Sequence, residues 1–254
     1  MSAPVPVPAT GPSAVIEEIT ALGGFFAVDQ WRATAVDAAV DADTEADAWQ
    51  PMGPAELTAR VVAVREWLAR ASKQHVRAIE VRVAASVAHL GLTVRLVSPA
   101  LAAAALHGRP LLFALDEVRW QPVLGGPVPL SLPADAVGEP SPEPAALADL
   151  LAERLLGGPV EELGAVFGEF GVSPHILRGN TASAVAGAVT AVARTGPERA
   201  GRAREFAALL LSRPPLVGES TRTPDGAFRR RSCCLIYRAA PGGRGALCGD
   251  CVLR

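Results

Sequence analysis

The sequence predicts a mainly α-helical protein with a small β-hairpin or sheet, an α+β body that ends in a cysteine-rich C-terminal segment. Three observations carry that prediction. Apolar residues recur at helical spacing over most of the chain. One stretch, 110–132, alternates instead, as short strands do. All four cysteines lie in the last 22 of the 254 residues.

The elements follow in order. Residues 1–12, rich in proline, read as a flexible polyproline-like tail. Ser13 is a candidate cap for a helix over about 14–23, with Glu17 and Glu18 in its first turns, where the helix dipole favours anions. Residues 25–53 are acidic and read as irregular. After Pro54, the residues Leu57, Val61, Val64, Leu68, Val76, Ile79 and Val83 fall at helical spacing, with a break expected near Ser72. Gly91 reads as a stop, and Pro99 to Leu106 as a separate short helix ended by Gly108 and Pro110. From Val83 to Gly108 the only formal charge is Arg95. Polar and breaker residues nonetheless split the run below the roughly 18 apolar residues a membrane span needs. Two buried core helices are expected there.

Residues 110–132 then read as a hairpin around Gly125–Gly126, and 133–144 as a proline-rich linker. Helices follow over 144–156 and 159–170. Ser173–Pro174 is a helix start, a cap followed by proline at the first helical position. Gly179–Asn180 reads as an interruption, with Asn180 capping a helix from Thr181 to about Arg194. A last amphipathic helix runs from Glu198 to Ser212 and stops at Pro214–Pro215. The expected organisation is therefore a tail (1–12), a helix-rich body (13–215) and a metal-binding C-terminal segment (216–254).

Composition narrows the function. With 50% hydrophobic and 20% charged residues, the chain can bury a core and is not disordered. A net charge of −2 argues against a dedicated nucleic-acid binder. The charge is segregated, however: residues 194–254 balance at +7 and the rest at −9. The N-terminus has neither the basic nor the apolar region of a secretory signal, so a cytoplasmic location is expected. There is no G-x-G-x-x-G or Walker A sequence, and the four histidines stand at no metal-ligand spacing.

The chemistry-bearing pattern is C-C-x13-C-x2-C, formed by Cys233, Cys234, Cys248 and Cys251. Disulfides fit a reducing compartment poorly, and vicinal Cα atoms about 3.8 Å apart fall below the usual disulfide range. Four thiolates suit tetrahedral zinc, although an adjacent Cys-Cys is a poor chelate because successive side chains of a strand diverge. A [2Fe–2S] cluster also takes four thiolates, and spreads them over two irons, which diverging side chains accommodate. Arg229, Arg230, Arg231, Arg238 and Arg244 would offset the charge of such a cluster and raise its potential.

The tail FRRRSCCLIYR…LCGDCVL resembles the C-terminal iron–sulfur motif of the FhuF-type ferric-siderophore reductases, an adjacent cysteine pair followed by C-x2-C. Segments 84–106 and 176–188 look like body segments of the same family. The resemblance implies a [2Fe–2S] cluster on the four cysteines. It also implies one-electron reduction of Fe(III) held by a hydroxamate-type siderophore, with release of Fe(II). Electrons would come from an external donor such as a ferredoxin or a reduced flavin or nicotinamide system. Imported siderophores emerge at the membrane, so peripheral membrane association is compatible with that role, and the role gives nucleic acid no part. Two departures stand out. The spacer is longer than usual and reads as a loop insertion around Gly242–Gly245. Arg178 also stands where relatives often carry Trp before the Gly-Asn pair. Two other readings of the cysteines stay open: a non-catalytic, zinc-stapled binding protein and an iron–sulfur redox or iron sensor.

Overall fold

The computed structural model describes residues 11–32 and 49–254. Most of the expected N-terminal tail, and residues 33–48 of the acidic stretch, lie outside the described residues. The first helix, α1 (Pro12–Thr20), begins one residue before Ser13. Gly11 occupies the cap, and Pro12 sits at a first-turn position where its missing N–H leaves nothing unpaired. The region expected to be irregular supplies two short strands, β1 (Asp29–Trp31) and β2 (Gln50–Pro51). Helix α2 (Pro54–Ala71) ends at Ser72 as expected, and a 3₁₀ turn at Val76–Ala78 leads into α3.

Helix α3 differs from the prediction. It is one 27-residue helix, Val81–His107, running through both Gly91 and Pro99. Every residue from Arg95 to His107 is buried. Breaking the helix there would leave backbone polar groups in an apolar interior, which costs more than one hydrogen bond lost at proline. Helices α2, α5 (Pro159–Gly168), α6 (Pro174–Val192) and α7 (Pro197–Leu211) pack around it. The run Ala102–Ala105 allows close approach on several faces. Gly108 ends the helix in a left-handed conformation (φ 63°) that a side chain would strain. By length and composition α3 could cross a membrane, but 78% of its most apolar window is buried inside this fold, so it serves as the core helix. Arg95, the one charge in its apolar run, donates to the backbone carbonyls of Val128 (2.7 Å), Phe25 (2.5 Å) and Ala27 (2.5 Å). It thereby ties the loop before β1 to the hairpin, and burial lowers its pKa to about 10.

The hairpin is β3 (Arg119–Trp120) with β4 (Leu130–Pro133), paired antiparallel. Strand β1 joins β4 in parallel and β2 joins β3 antiparallel, giving the order β1-β4-β3-β2. The linker predicted at 133–144 is packed structure: Ala136 and Val137 are buried, and Val137 forms a bridge with Leu111. Then come α4 (Pro144–Leu151), extended by a π-helical turn to Leu156, α5 (Pro159–Gly168), α6 (Pro174–Val192) and α7 (Pro197–Leu211). Ser173 caps α6 by accepting from the Ile176 N–H. The chain closes with a hairpin, β5 (Ser220–Arg222) and β6 (Phe228–Arg230), and two 3₁₀ turns.

Candidate metal centre

The expected break in α6 is absent, and its residues do something else. Gly179 and Asn180 lie mid-helix, on the face that receives the C-terminal segment. A Cβ at Gly179 would stand 1.9 Å from Ser232 Oγ, so only glycine lets the chain just before the cysteine pair lie this close. Asn180 is fully buried. Its Nδ2 donates to Ser86 O on α3 (3.1 Å), and its Oδ1 accepts from Arg230 Nη1 (2.8 Å). Of the five arginines singled out by sequence, only Arg230 turns inward, and it is 1% exposed. Its Nη2 reaches Cys248 Sγ at 2.8 Å, with Asp250 Oδ1 at 3.9 Å. Burial works against the Arg230 charge, yet Cys234, Asp250 and Cys248 outweigh it and its pKa is raised.

The other four arginines have different tasks. Arg238 pairs with Glu80 (Nε–Oε1 2.8 Å) and fastens the spacer to the start of α3. Arg229 donates to the carbonyl of Arg254. Arg231 and Arg244 have no side-chain partner among the described residues. The spacer is anchored at a further point, where Gln74 Nε2 donates to Ala239 O (2.8 Å), and is closed on itself by Gly245 N donating to Tyr237 O (2.8 Å).

This scaffold brings the four cysteines together. Cys234 and Cys248 have their sulfurs 3.8 Å apart, and Cys233 and Cys251 3.5 Å apart. Cys234 and Cys251 are buried, while Cys233 and Cys248 are partly exposed. Immediately after the vicinal pair, Leu235 adopts a left-handed conformation (φ 68°), uncommon for a branched side chain. That turn directs its N–H at Cys233 Sγ, 3.4 Å away. Burial pushes the Cys233 thiol up to about 11 and the Cys248 thiol up to about 12. Such thiols ionise readily only when a metal replaces the proton. Asp250, held by Ser183 and Arg230, stays ionised despite its partial burial.

Does this donor set fit a two-iron cluster? It supplies four thiols in two close pairs, an inward cation, and a backbone N–H on a sulfur. Among the described residues, no group of three or more His, Cys, Asp or Glu side chains is arranged to hold one metal ion. The fold and the cysteines thus define a helical body carrying a four-thiol cradle at its C-terminus. More particularly, residues 230–253 match the FhuF 2Fe-2S C-terminal domain, a match that points to a [2Fe–2S] cluster on these cysteines. Comparison with curated proteins gives no match.

Sequence reasoning missed three contributors, His175, Glu219 and Asn180. His175 and Arg178 both bind the buried carboxylate of Glu219 (2.7 Å each), and Glu219 O accepts from the Arg231 N–H beside the cysteine pair. Arg178 also lines a cavity of about 380 Å³ between α5 and α6, floored by His89, so the residue at this position shapes whatever enters it. The third is Asn180. Its signal was present in the sequence, as a Gly-Asn pair inside an otherwise apolar helical run.

Proposed function

We propose that the protein is a cytoplasmic ferric-siderophore reductase in which Cys233, Cys234, Cys248 and Cys251 hold the [2Fe–2S] cluster. The observation that carries this reading is the pairing of four thiols on Gly179, Asn180 and Arg230 within a segment of the FhuF 2Fe-2S type. When bound, the cluster supplies one-electron transfer to Fe(III) in the siderophore substrate. Hard hydroxamate oxygens hold Fe(III) far better than Fe(II), so reduction loosens the complex and frees the iron.

The chain's own residues prepare the site. Arg230 fixes Cys248 and brings a buried cation beside it. Asn180 holds Arg230 from behind. Cys233 and Cys248 are the partly exposed ligands, so the edge they form is where donor and substrate approach. Arg231 and Arg244 leave that segment basic, which suits an acidic ferredoxin-like donor or an anionic ferric complex. No dinucleotide fingerprint occurs in the sequence, and electrons come from a separate carrier.

The test is a single turnover. The full-length protein is reduced without oxygen, freed of excess reductant, and mixed with a ferric trihydroxamate and a colorimetric Fe(II) chelator. One Fe(II) per reduced chain, matched by reoxidation of the visible bands, is expected. Cys251→Ser should abolish both signals. A reduced protein that ignores the ferric complex yet is reoxidised by ferricyanide would overturn the reductase reading in favour of a sensor or carrier.

A further inference from the structure

The four thiols are not equivalent. We infer that Cys233 and Cys251 bind one iron and Cys234 and Cys248 the other, and that Arg230 makes the Cys234–Cys248 iron the one that accepts the electron. The assignment rests on the four-thiolate ligand set proposed above and adds its internal order.

Two thiolates on one tetrahedral metal, at bonds of about 2.3 Å, stand about 3.7 Å apart. Thiolates on opposite irons stand farther apart. The separations of 3.8 Å for Cys234–Cys248 and 3.5 Å for Cys233–Cys251 match same-iron pairs. Each iron then takes one cysteine of the vicinal pair and one of the C-x2-C pair. Two vicinal side chains that diverge are thus used where their divergence helps.

The two pairs sit in different fields. Arg230 Nη2 lies 2.8 Å from Cys248 Sγ, and its charge acts on Cys234 as well. The guanidinium side chain has no solvent exposure, so water does not screen it. Asp250 opposes it, because its carboxylate also bonds to Cys248, but Arg230, 2.8 Å from that sulfur, acts on it more strongly, and Asp250 is shared with Ser183. Among the described residues, the donor to the Cys233–Cys251 pair is a neutral backbone group, the Leu235 N–H at 3.4 Å from Cys233 Sγ. A cation against one pair favours the ferrous state of the iron that pair holds. In that step one electron arrives from an external one-electron donor and one ferric ion becomes ferrous. No bond is made or broken and no proton is required.

The experiment uses full-length protein with its iron and sulfide, reduced by dithionite and read by Mössbauer and electron paramagnetic resonance spectroscopy and by redox titration. Arg230→Gln is expected to lower the equilibrium constant for reduction at least tenfold, which is about 59 mV in midpoint potential. Arg230→Lys should recover most of it. Cys234→Ser and Cys248→Ser should alter the ferrous Mössbauer doublet, and Cys233→Ser and Cys251→Ser the ferric one. A ferrous doublet that responds to Cys233 or Cys251 overturns the assignment while leaving the cluster reading intact. If the serine variants do not assemble, an Arg230→Gln protein with unchanged potential and unchanged ferrous doublet overturns it equally. Wild-type protein without [2Fe–2S] bands overturns the ligand set itself, and the assignment with it.

Discussion

Gly179 offers the sharpest test of how the cysteine segment is seated. Replacing a glycine inside an exposed stretch of helix by alanine stabilises it by about 0.8–1 kcal/mol, because glycine loses more backbone entropy on folding. Helix α6 holds a built-in control. Gly187 is exposed on the same helix, with nothing within 4 Å of an added Cβ, so Gly187→Ala should gain roughly that amount. At Gly179 the added Cβ meets Ser232 Oγ at 1.9 Å and Ser232 Cβ at 3.1 Å. Rotating the hydroxyl relieves the first contact but not the second, so the segment must move. Overpacking of this kind costs about 1–3 kcal/mol. Gly179→Ala should therefore be neutral to about 2 kcal/mol destabilising, a gap of about 1–3 kcal/mol from Gly187→Ala. Urea unfolding of the full-length holoprotein, followed by far-ultraviolet circular dichroism and by visible absorbance, reads both. The visible bands of Gly179→Ala should bleach at lower urea than wild type. If the two alanine variants are equally stabilised, the C-terminal segment is not seated on α6 as described.

Two other predictions follow from the buried polar network beneath the cysteines. Asn180→Ala removes the bond to Ser86 O and leaves Arg230 without its Nη1 acceptor, one neutral and one charge-assisted hydrogen bond. The loss should be about 2–4 kcal/mol in urea unfolding, and stability equal to wild type would show the network is not formed. His89 is kept neutral by burial, with its pKa pushed down to about 3. The unfolded chain therefore binds this proton first as pH falls below about 6.5, and stability drops by up to about 1.4 kcal/mol per pH unit. Urea titrations at pH 5 and 6.5 should show a steeper loss for wild type than for His89→Gln, and equal slopes would contradict a buried neutral imidazole.

The parts of the fold legible in the sequence are those set by local periodicity. The α2 stripe of Leu57, Val61, Val64 and Leu68, the hairpin around Gly125–Gly126, and the Ser173–Pro174 start of α6 all follow from spacing and turn chemistry. What local signals concealed was decided by burial. Gly91 and Pro99 punctuate a sequence read in isolation, yet α3 continues through both because the surrounding helices leave its backbone no other partner. Strands β1 and β2 are two to three residues long and owe their existence to the hairpin they join, a tertiary cause with no periodic trace. At the site, cysteine spacing and type pointed to the metal. The five arginines were indistinguishable by sequence, since inward or outward direction depends on which of them meets Asn180. Gly179–Asn180 was visible but misread, because a glycine that makes room for a distant segment looks the same as one that ends a helix.

The central claim is that the C-terminal cysteines hold two irons and not one zinc. Purification without oxygen, a visible spectrum, and assays of iron, zinc and acid-labile sulfide on the same sample test it most directly. The account predicts a brown protein with broad bands between about 330 and 460 nm and two irons with two sulfides per chain. A colourless protein carrying a single zinc would contradict it.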